Sequence, residues 1–281
     1  MTDVRLTRSS GDEKNLTIQA IADGITTIIC VGGDGTSGNV ATAILHSGAD
    51  TRLGVIPAGT GNDFAKTLGT SRADFTEVAR LAVGLSDDRM DVGRIDGGFF
   101  LNSCGFGFDV AVLQGLASGR MLRGNAVYLH AALRQLFSYP GITLTIGSSR
   151  IRRERITCLM LVIANCPHFG GAFVIAPSAV ATDGELDAVI VANVGAGARV
   201  KLLAAATRGR HTSFAEVNIE RASEFTVEFD EIPFYETDGE VHQASSPTVA
   251  VRCVPNALRV VADEGFQTRQ TALGARGGAA R

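Results

Sequence analysis

One stretch decides the fold of this chain: Ile28-Ile29-Cys30-Val31-Gly32-Gly33-Asp34-Gly35-Thr36. Its apolar half predicts a buried parallel strand, and its glycines predict a loop at the carboxyl end of that strand, where open α/β sheets bind ligands. Glycines let the backbone approach a ligand closely, Thr36 adds a hydroxyl, and a following helix adds free N–H groups. The stretch therefore favours a phosphate-binding loop, with a ligand-free strand-to-helix turn as the alternative.

A second loop of small and polar residues follows the next apolar strand, which we place at residues 52–57. This loop runs Ala58-Gly59-Thr60-Gly61-Asn62-Asp63 and again carries a hydroxyl, an amide and a carboxylate. Apolar residues at helical spacing from Gly38 to His46 predict the helix that joins the two strands. Because the carboxyl ends of parallel strands meet at one sheet edge, the two loops are expected to lie side by side. The pair favours a shared ligand over two unrelated turns.

Composition excludes several classes of protein. The length of 281 residues suggests two domains, and a net charge of −3 without a long Lys/Arg cluster argues against binding nucleic acid. The five cysteines stand singly without a Cys-x-x-Cys pair, which is typical of buried thiols in a reducing cytoplasm. No apolar stretch approaches the ~18 residues that span a bilayer, so we expect a soluble cytoplasmic protein that is not transmembrane.

From Asp91 onward, short strands separated by Gly and Asn predict a mostly antiparallel sandwich. Helices are expected at residues 11–24, 117–139 and 197–207. The Gly-, Ala- and Arg-rich tail from Phe266 lacks a core pattern, which predicts a frayed end. Only Val4-Arg5-Leu6 is available as a strand before the first helix.

The two glycine loops and the segments that follow them resemble the diacylglycerol kinase and sphingosine kinase superfamily, specifically its bacterial soluble lipid kinases. Seven segments in family order carry the resemblance: Gly32–Thr36; Pro57–Ala65; Asp91–Arg94; Phe100–Asp109; Asn165 with Gly170-Gly171 and Ala176-Pro177; Asp183–Asp187; and Asp238-Gly239-Glu240. The resemblance implies an α/β nucleotide-binding domain plus a C-terminal antiparallel β-sandwich domain, with the active site in the interdomain cleft. It places the first domain at residues 1–90 with a return segment at 257–281, and the lipid-substrate domain at 91–256.

The same resemblance implies an ATP-dependent lipid kinase acting on a diacylglycerol-like or long-chain-base lipid at a membrane surface. Asp34 and Asp63 match carboxylates around the catalytic Mg²⁺ and ATP, and Glu240 matches the general base that accepts the proton of the lipid hydroxyl. The implied nucleotide contacts are Thr7, Gly32, Gly33, Asp34, Gly35, Thr36, Ser37, Gly38, Asn39, Gly59, Thr60 and Asn62. An implied structural magnesium site comprises Val180, Asp183 and Glu185. An acceptor cleft is expected to be lined by Phe106, Phe108, Val112, Leu113, Leu116, Met121 and Leu122.

Two features differ from the family pattern. The family's first strand, with its Asn-Pro-x-Ser-Gly turn, has no counterpart before Thr7, and Asn39 stands where the family usually has a glutamate. Alternatives therefore stay open: a catalytically degenerate nucleotide- or lipid-binding protein, or a kinase of a soluble acceptor, as in the NAD kinases. Asp183-Gly184 and Asp238-Gly239 also fit ordinary turns. The oligomeric state stays open, with a homodimer as one alternative.

Overall fold

A computed structural model of the chain describes residues 3–9, 11–84, 88–118, 136–150 and 152–279. The helices are α1 Asp12–Ala22, α2 Asp34–Ser47, α3 Asp63–Leu68, α4 Phe75–Val83, α5 Phe108–Ser118, α6 Ala196–Ala206 and α7 Phe266–Ala279. The strands are β1 Thr27–Gly32, β2 Arg52–Pro57, β3 Asp88–Ile95, β4 Gly98–Phe100, β5 Ser103–Gly107, β6 Ile142–Ser148, β7 Glu154–Ala164, β8 His168–Phe169, β9 Phe173–Val174, β10 Leu186–Ala192, β11 Val217–Ala222, β12 Glu224–Phe229, β13 Phe234–Thr237, β14 Glu240–Gln243 and β15 Thr248–Val260.

The first strands form the predicted parallel pair. β1 and β2 pair in register from Thr27 opposite Arg52 to Gly32 opposite Pro57. α2 connects them and buries its apolar face, including Val40 and Ile44, against the sheet. Because both strands run in the same direction, each delivers its loop to the same edge.

The N-terminal region differs from the sequence prediction at the start of the second helix. α2 begins at Asp34, so Asp34 to Ser37 form its first turn and not a loop before it. The hydroxyl of Ser37 donates to the Asp34 carbonyl at 3.0 Å, which stabilises this early start. Val4–Leu6, the segment available for a first strand, has no regular structure and exposes Val4 and Leu6. Within the described residues, β1 therefore pairs only with β2.

Antiparallel pairing dominates the rest of the chain, as the alternating short strands predict. Among the described residues the main path of one large sheet is β1-β2-β15-β12-β6-β7-β5-β13-β14, and β10, β11, β3 and β4 pair beside it. Phe100, Phe106 and Phe225 lie at the centre of the sandwich core and are almost fully buried. Apolar burial on both sides of β7 makes this strand the middle of the second domain.

The long strand β15 links the two domains. Its residues from Val251 to Val260 pair antiparallel with β3, and Val260 also pairs parallel with Leu53 of β2. A bulge between Val254 and Leu258 bends the strand between these two environments. The end of the chain thereby returns to the N-terminal sheet.

The expectation of a frayed tail is wrong. Residues Phe266–Ala279 form α7, and Phe266 is fully buried in the same core as Leu53 and Phe64. The side chain of Gln270 accepts a hydrogen bond from the Ala181 N–H at 2.8 Å. Among the side chains described in this helix, Phe266 and Gln270 are the buried ones, and they stand among Gly, Ala and Arg, so the sequence shows no apolar period.

Helix α5 was also missed, because its apolar residues continue directly from β5 without a turn signal. Most of the helix predicted at 117–139 lies outside the described residues. No helix in the part of the chain that is described combines the length and hydropathy needed to cross a membrane.

Candidate active site

The two glycine loops touch at the sheet edge. A Cβ added to Gly33 would lie 3.0 Å from the Cα of Gly59, and one added to Gly32 would overlap the Thr36 side chain. Backbones can approach this closely only where side chains are absent. The loops therefore form one backbone surface beside the N-terminus of α2, whose first N–H groups have no partners within the helix.

Asp34 joins the first loop to the second. Its Oδ1 accepts a hydrogen bond from the backbone N–H of Phe64 at 3.0 Å. Its Oδ2 lies 2.9 Å from the position that a Cβ on Gly61 would take. One carboxylate oxygen thus orders the second loop, and the residue also lines the cleft described below.

The second loop is closed by Asn62. This residue has a φ of 54°, and its amide side chain accepts from the Gly59 N–H at 2.9 Å and donates to the Gly59 carbonyl at 2.8 Å. Asn62 therefore shapes the loop from within, which an amide does well because it carries both donor and acceptor. Thr60, in the same loop, is exposed.

Asp63 lies in an interdomain contact. Its Oδ2 accepts a hydrogen bond from the Gly171 N–H, and its Oδ1 pairs with the Lys66 ammonium, both at 2.8 Å. Lys66 also donates to the Gly171 carbonyl at 2.7 Å. The side chain of Asp63 is buried. Its Oδ2 and its partner Lys66 hold the turn between β8 and β9 against α3. The sequence analysis identified Gly171 within a motif but did not single out Lys66.

Glu240 reaches this region from the other domain. It opens β14, opposite Thr237 of β13, after a tight turn in which Asp238 and Gly239 have φ of 49° and 90°. The exposed carboxylate lies 3.6 Å from the position of a Cβ on Gly35. The structure therefore brings Glu240 and the start of α2 together across the domain boundary.

Asp238 fixes the base of that hairpin. Its carboxylate accepts hydrogen bonds from the N–H groups of Leu101 at 2.7 Å, Asn102 at 2.8 Å and Ser103 at 3.3 Å. Removal from water raises the pKa of Asp238 to about 6, although these three donors favour the ionised form. The Asp238 side chain thus anchors the turn to residues 101–103, with contacts that lie outside the hairpin itself.

A cleft of about 290 Å³ opens between the domains at this point. It is lined by residues of α1, α2, β3, β4 and the β13–β14 hairpin: Lys14, Asp34, Gly35, Gly38, Asn39, Thr42, Ile95, Asp96, Gly98, Phe99, Tyr235, Thr237, Asp238, Glu240 and His242. Thr7, Thr36 and Thr60 do not line it. Lys14 and His242 carried no motif signal, because only the packing of their elements brings them here.

Asn39 has a carboxylate partner. Its side-chain amide donates to Oε1 of Glu13, which lies on α1. The position that usually holds a glutamate in the family thus contacts a glutamate from the preceding helix. Nothing in the sequence indicates this pairing, since the two residues are far apart in the chain and meet only through the packing of α1 on α2.

The structure places the carboxylates predicted to form a structural magnesium site beside two arginines, and the magnesium site stays a prediction. Val180 is buried, Glu185 pairs with Arg150, and Asp183 lies 3.5 Å from the Arg221 guanidinium. Arg221 only partly offsets the burial of Asp183, because desolvation still raises the pKa of this carboxyl to about 6. The described residues contain no group of three or more His, Cys, Asp or Glu side chains placed to hold a metal.

None of the described residues predicted to form the acceptor lining borders the cleft. Phe106, Phe108 and Val112 are buried in the cores, with Phe106 packed on Phe229 and Tyr235. Leu113 is partly exposed. The side chain of Leu116, and Met121 and Leu122, lie outside the described residues.

Together, the parallel loops, the sandwich and the cleft between them define a two-domain protein in which a surface of glycine-loop backbone faces a carboxylate. Comparison with known families identifies this class. Residues 1–95 match the model of the diacylglycerol kinase catalytic domain, and residues 102–262 match the YegS C-terminal NAD kinase beta sandwich-like domain. The chain belongs to the diacylglycerol kinase and YegS lipid kinase family.

Similar proteins cover most of the chain. A protein named "Probable lipid kinase YegS-like" from Xanthomonas axonopodis pv. citri (strain 306) is 29% identical over 269 residues, which is 92% of this chain and 85% of the relative. A "Diacylglycerol kinase" from Mycobacterium tuberculosis (strain ATCC 25618 / H37Rv) is 28% identical, covering 89% of this chain and 81% of that protein. A crystal structure of a diacylglycerol kinase from Bacillus anthracis str. Sterne matches the fold with a TM-score of 0.69 at 19% identity, over 92% of this chain and 84% of that one.

Proposed function

We propose that this protein is an ATP-dependent lipid kinase that transfers the γ-phosphoryl group of ATP to a hydroxyl of a diacylglycerol-like or long-chain-base lipid. The observation that carries the proposal is the position of Glu240. Its carboxylate, from the sandwich domain, lies across the cleft from Gly35 at the start of α2. A proton acceptor thus faces an anion site, as transfer of a phosphoryl group to an alcohol requires.

The nucleotide is held by the first domain in this proposal. Backbone N–H groups at the start of α2 and along the touching loops bind the phosphates, because they are unpaired donors at the positive end of a helix dipole. Thr36, packed beside Gly32, and the exposed Thr60 add hydroxyls to the two loops. A magnesium ion bound with ATP would neutralise phosphate charge, and Asp34 is the cleft carboxylate suited to it.

The acceptor hydroxyl approaches from the sandwich side. Glu240 accepts its proton as the hydroxyl oxygen bonds to the γ-phosphorus, and the bond from that phosphorus to the bridging oxygen of ADP breaks. The products are a phosphorylated lipid, ADP and a proton carried by Glu240 until water removes it. The lipid acceptor follows from the names of the relatives and would be drawn from a membrane surface.

The test is transfer of labelled γ-phosphate from Mg-ATP to lipids in mixed micelles. We expect wild-type protein to label a lipid and Glu240→Gln to lose about 10²- to 10⁴-fold in kcat, the usual contribution of a general base. Glu231→Gln is the matched control, because Glu231 is exposed and precedes the same hairpin. Full activity in Glu240→Gln would overturn the role of Glu240. Nucleotide binding without transfer would favour a binding protein, and labelling of a soluble acceptor without micelles would favour another kinase class.

A further inference from the structure

Two buried carboxyl groups lie beneath the hairpin that carries Glu240. Asp109, in the first turn of α5, is 6% exposed, and Glu236, on β13, is 1% exposed. Both approach Gly105 of β5: Oδ2 of Asp109 and Oε1 of Glu236 lie within 2.9 Å of the point that a Cβ on Gly105 would occupy. The two carboxyl groups therefore lie close together beside Gly105, and a residue with a Cβ at this position would leave no room for them.

Neither acid has a counter-charge among the described residues. Both oxygens of Asp109 and Oε1 of Glu236 are buried without a hydrogen-bond partner. The titratable groups around them are Cys104 on β5, Cys158 on β7, Tyr139 before β6 and Asp238 in the hairpin turn, and none of these is a cation. Two ionised carboxylates in this position would be destabilising, because backbone N–H groups offset their desolvation only in part and no cation offsets their mutual repulsion.

The remaining oxygen of Glu236 is part of the hairpin. Oε2 accepts a hydrogen bond from the Gly239 N–H at 2.8 Å, one residue before Glu240. Asp238, between them, is fixed separately by the N–H groups at 101–103. The side chain of Glu236 thus contacts the backbone of Gly239, which directly precedes Glu240.

We propose that Asp109 and Glu236 share one proton, and that this acid pair is the positioning device that holds the β13–β14 hairpin so that Glu240 faces the start of α2. The catalytic part of this inference rests on the proposed kinase function. The shared proton lets one acid donate to the other, which satisfies two of the three oxygens left without partners. Loss of the proton would place two negative charges against each other and push β13 away from α5.

The electrostatics of the pair agree with this geometry. Burial raises the pKa of Asp109 to about 7, against the N–H groups of its own helix turn, and burial together with the charge of Asp109 raises the pKa of Glu236 well above its usual range. Both shifts favour a proton on the pair, and that proton is lost as pH rises through the raised pKa values. Activity that depends on the hairpin should fall on the alkaline side.

The decisive variant is Glu236→Gln. A glutamine at this position still accepts from Gly239 and donates permanently to Asp109, so it mimics the protonated pair. We expect its kcat at neutral pH to be close to that of wild type, and the alkaline fall in kcat seen in wild type to be absent. Glu236→Ala removes the acceptor of Gly239 and should lower kcat by about 10²-fold through misplacement of Glu240, with the KM for ATP little changed. An alkaline fall that is the same in Glu236→Gln as in wild type would overturn the proposal.

A second measurement does not depend on kinase activity. Infrared difference spectra of the intact protein should contain a protonated carboxyl band at neutral pH that disappears in Asp109→Asn/Glu236→Gln and stays in Glu231→Gln. A spectrum without that band in wild type would overturn the shared proton. If the band is present but no lipid is phosphorylated, the proposed function fails while the acid pair stands.

Discussion

The Asp63 carboxylate accepts a hydrogen bond from the Gly171 N–H at 2.8 Å, which joins the start of α3 to the turn between β8 and β9. The Lys66 ammonium bridges both residues. The contact connects the N-terminal sheet to the sandwich beside the cleft. In this structure, Asp63 therefore has a role in domain docking whether or not it also acts near a metal.

Asp63→Asn should weaken this docking. The amide can still accept from Gly171 but no longer attracts the Lys66 ammonium, so we expect unfolding free energy to fall by about 1–3 kcal/mol. Urea denaturation measures the change. Asp230→Asn is the comparison: it breaks a fully exposed pair with Arg155 that solvent screens, and it should have far less effect. Equal losses in the two variants would contradict the docking role.

Gly59→Ala tests the close approach of the two loops. The added Cβ would lie 2.5 Å from the Cα of Gly33, which is backbone and cannot rotate away. We expect a loss of about 1–3 kcal/mol in stability and weaker nucleotide binding, as measured by urea denaturation and calorimetric titration. Gly197→Ala, in α6, meets nothing within 4 Å and should raise stability by up to about 1 kcal/mol. Unchanged nucleotide affinity in Gly59→Ala would show that the loops tolerate separation.

Asp238 should make stability depend on pH. Its pKa rises from the ordinary 3.8 to about 6 on folding, so the folded state holds its proton more tightly than the unfolded state. The resulting stabilisation is complete below pH 3.8 and is lost as pH rises through about 6. Asp238→Asn should flatten this part of the curve of unfolding free energy against pH, measured by urea titration at each pH. An unchanged slope would mean that other groups dominate.

Phe266→Ala tests whether the C-terminal helix belongs to the core. Phe266 is fully buried with Leu53 and Phe64, so truncation should cost about 3–5 kcal/mol. Phe75→Ala removes a ring that is 64% exposed at the start of α4, and should change stability by no more than about 0.5 kcal/mol. Thermal and urea unfolding of both variants give the comparison. A small loss in Phe266→Ala would restore the interpretation of a frayed end.

Sequence reasoning located the site by its loops. Two apolar strands that each end in glycines and a carboxylate predicted a shared edge, and β1 and β2 do pair parallel with Gly33 against Gly59. Local chemistry was enough for this, because tight turns and close backbone approach demand glycine. Glu240 was singled out only through the family resemblance, because the sequence Asp238-Gly239 by itself indicates no more than an ordinary turn.

The sequence by itself determined the unit of β1, α2 and β2 with its two loops, the antiparallel strands of the second domain and the family, because these depend on residues that are neighbours in the chain. Only the tertiary structure decided which side chains from distant segments of the chain come into contact. It paired Asn39 with Glu13, set Asp63 against Gly171, buried Phe266 and placed Asp109 opposite Glu236. Each of these contacts joins distant segments, and its energy comes from burial and exclusion of water, which local sequence does not encode.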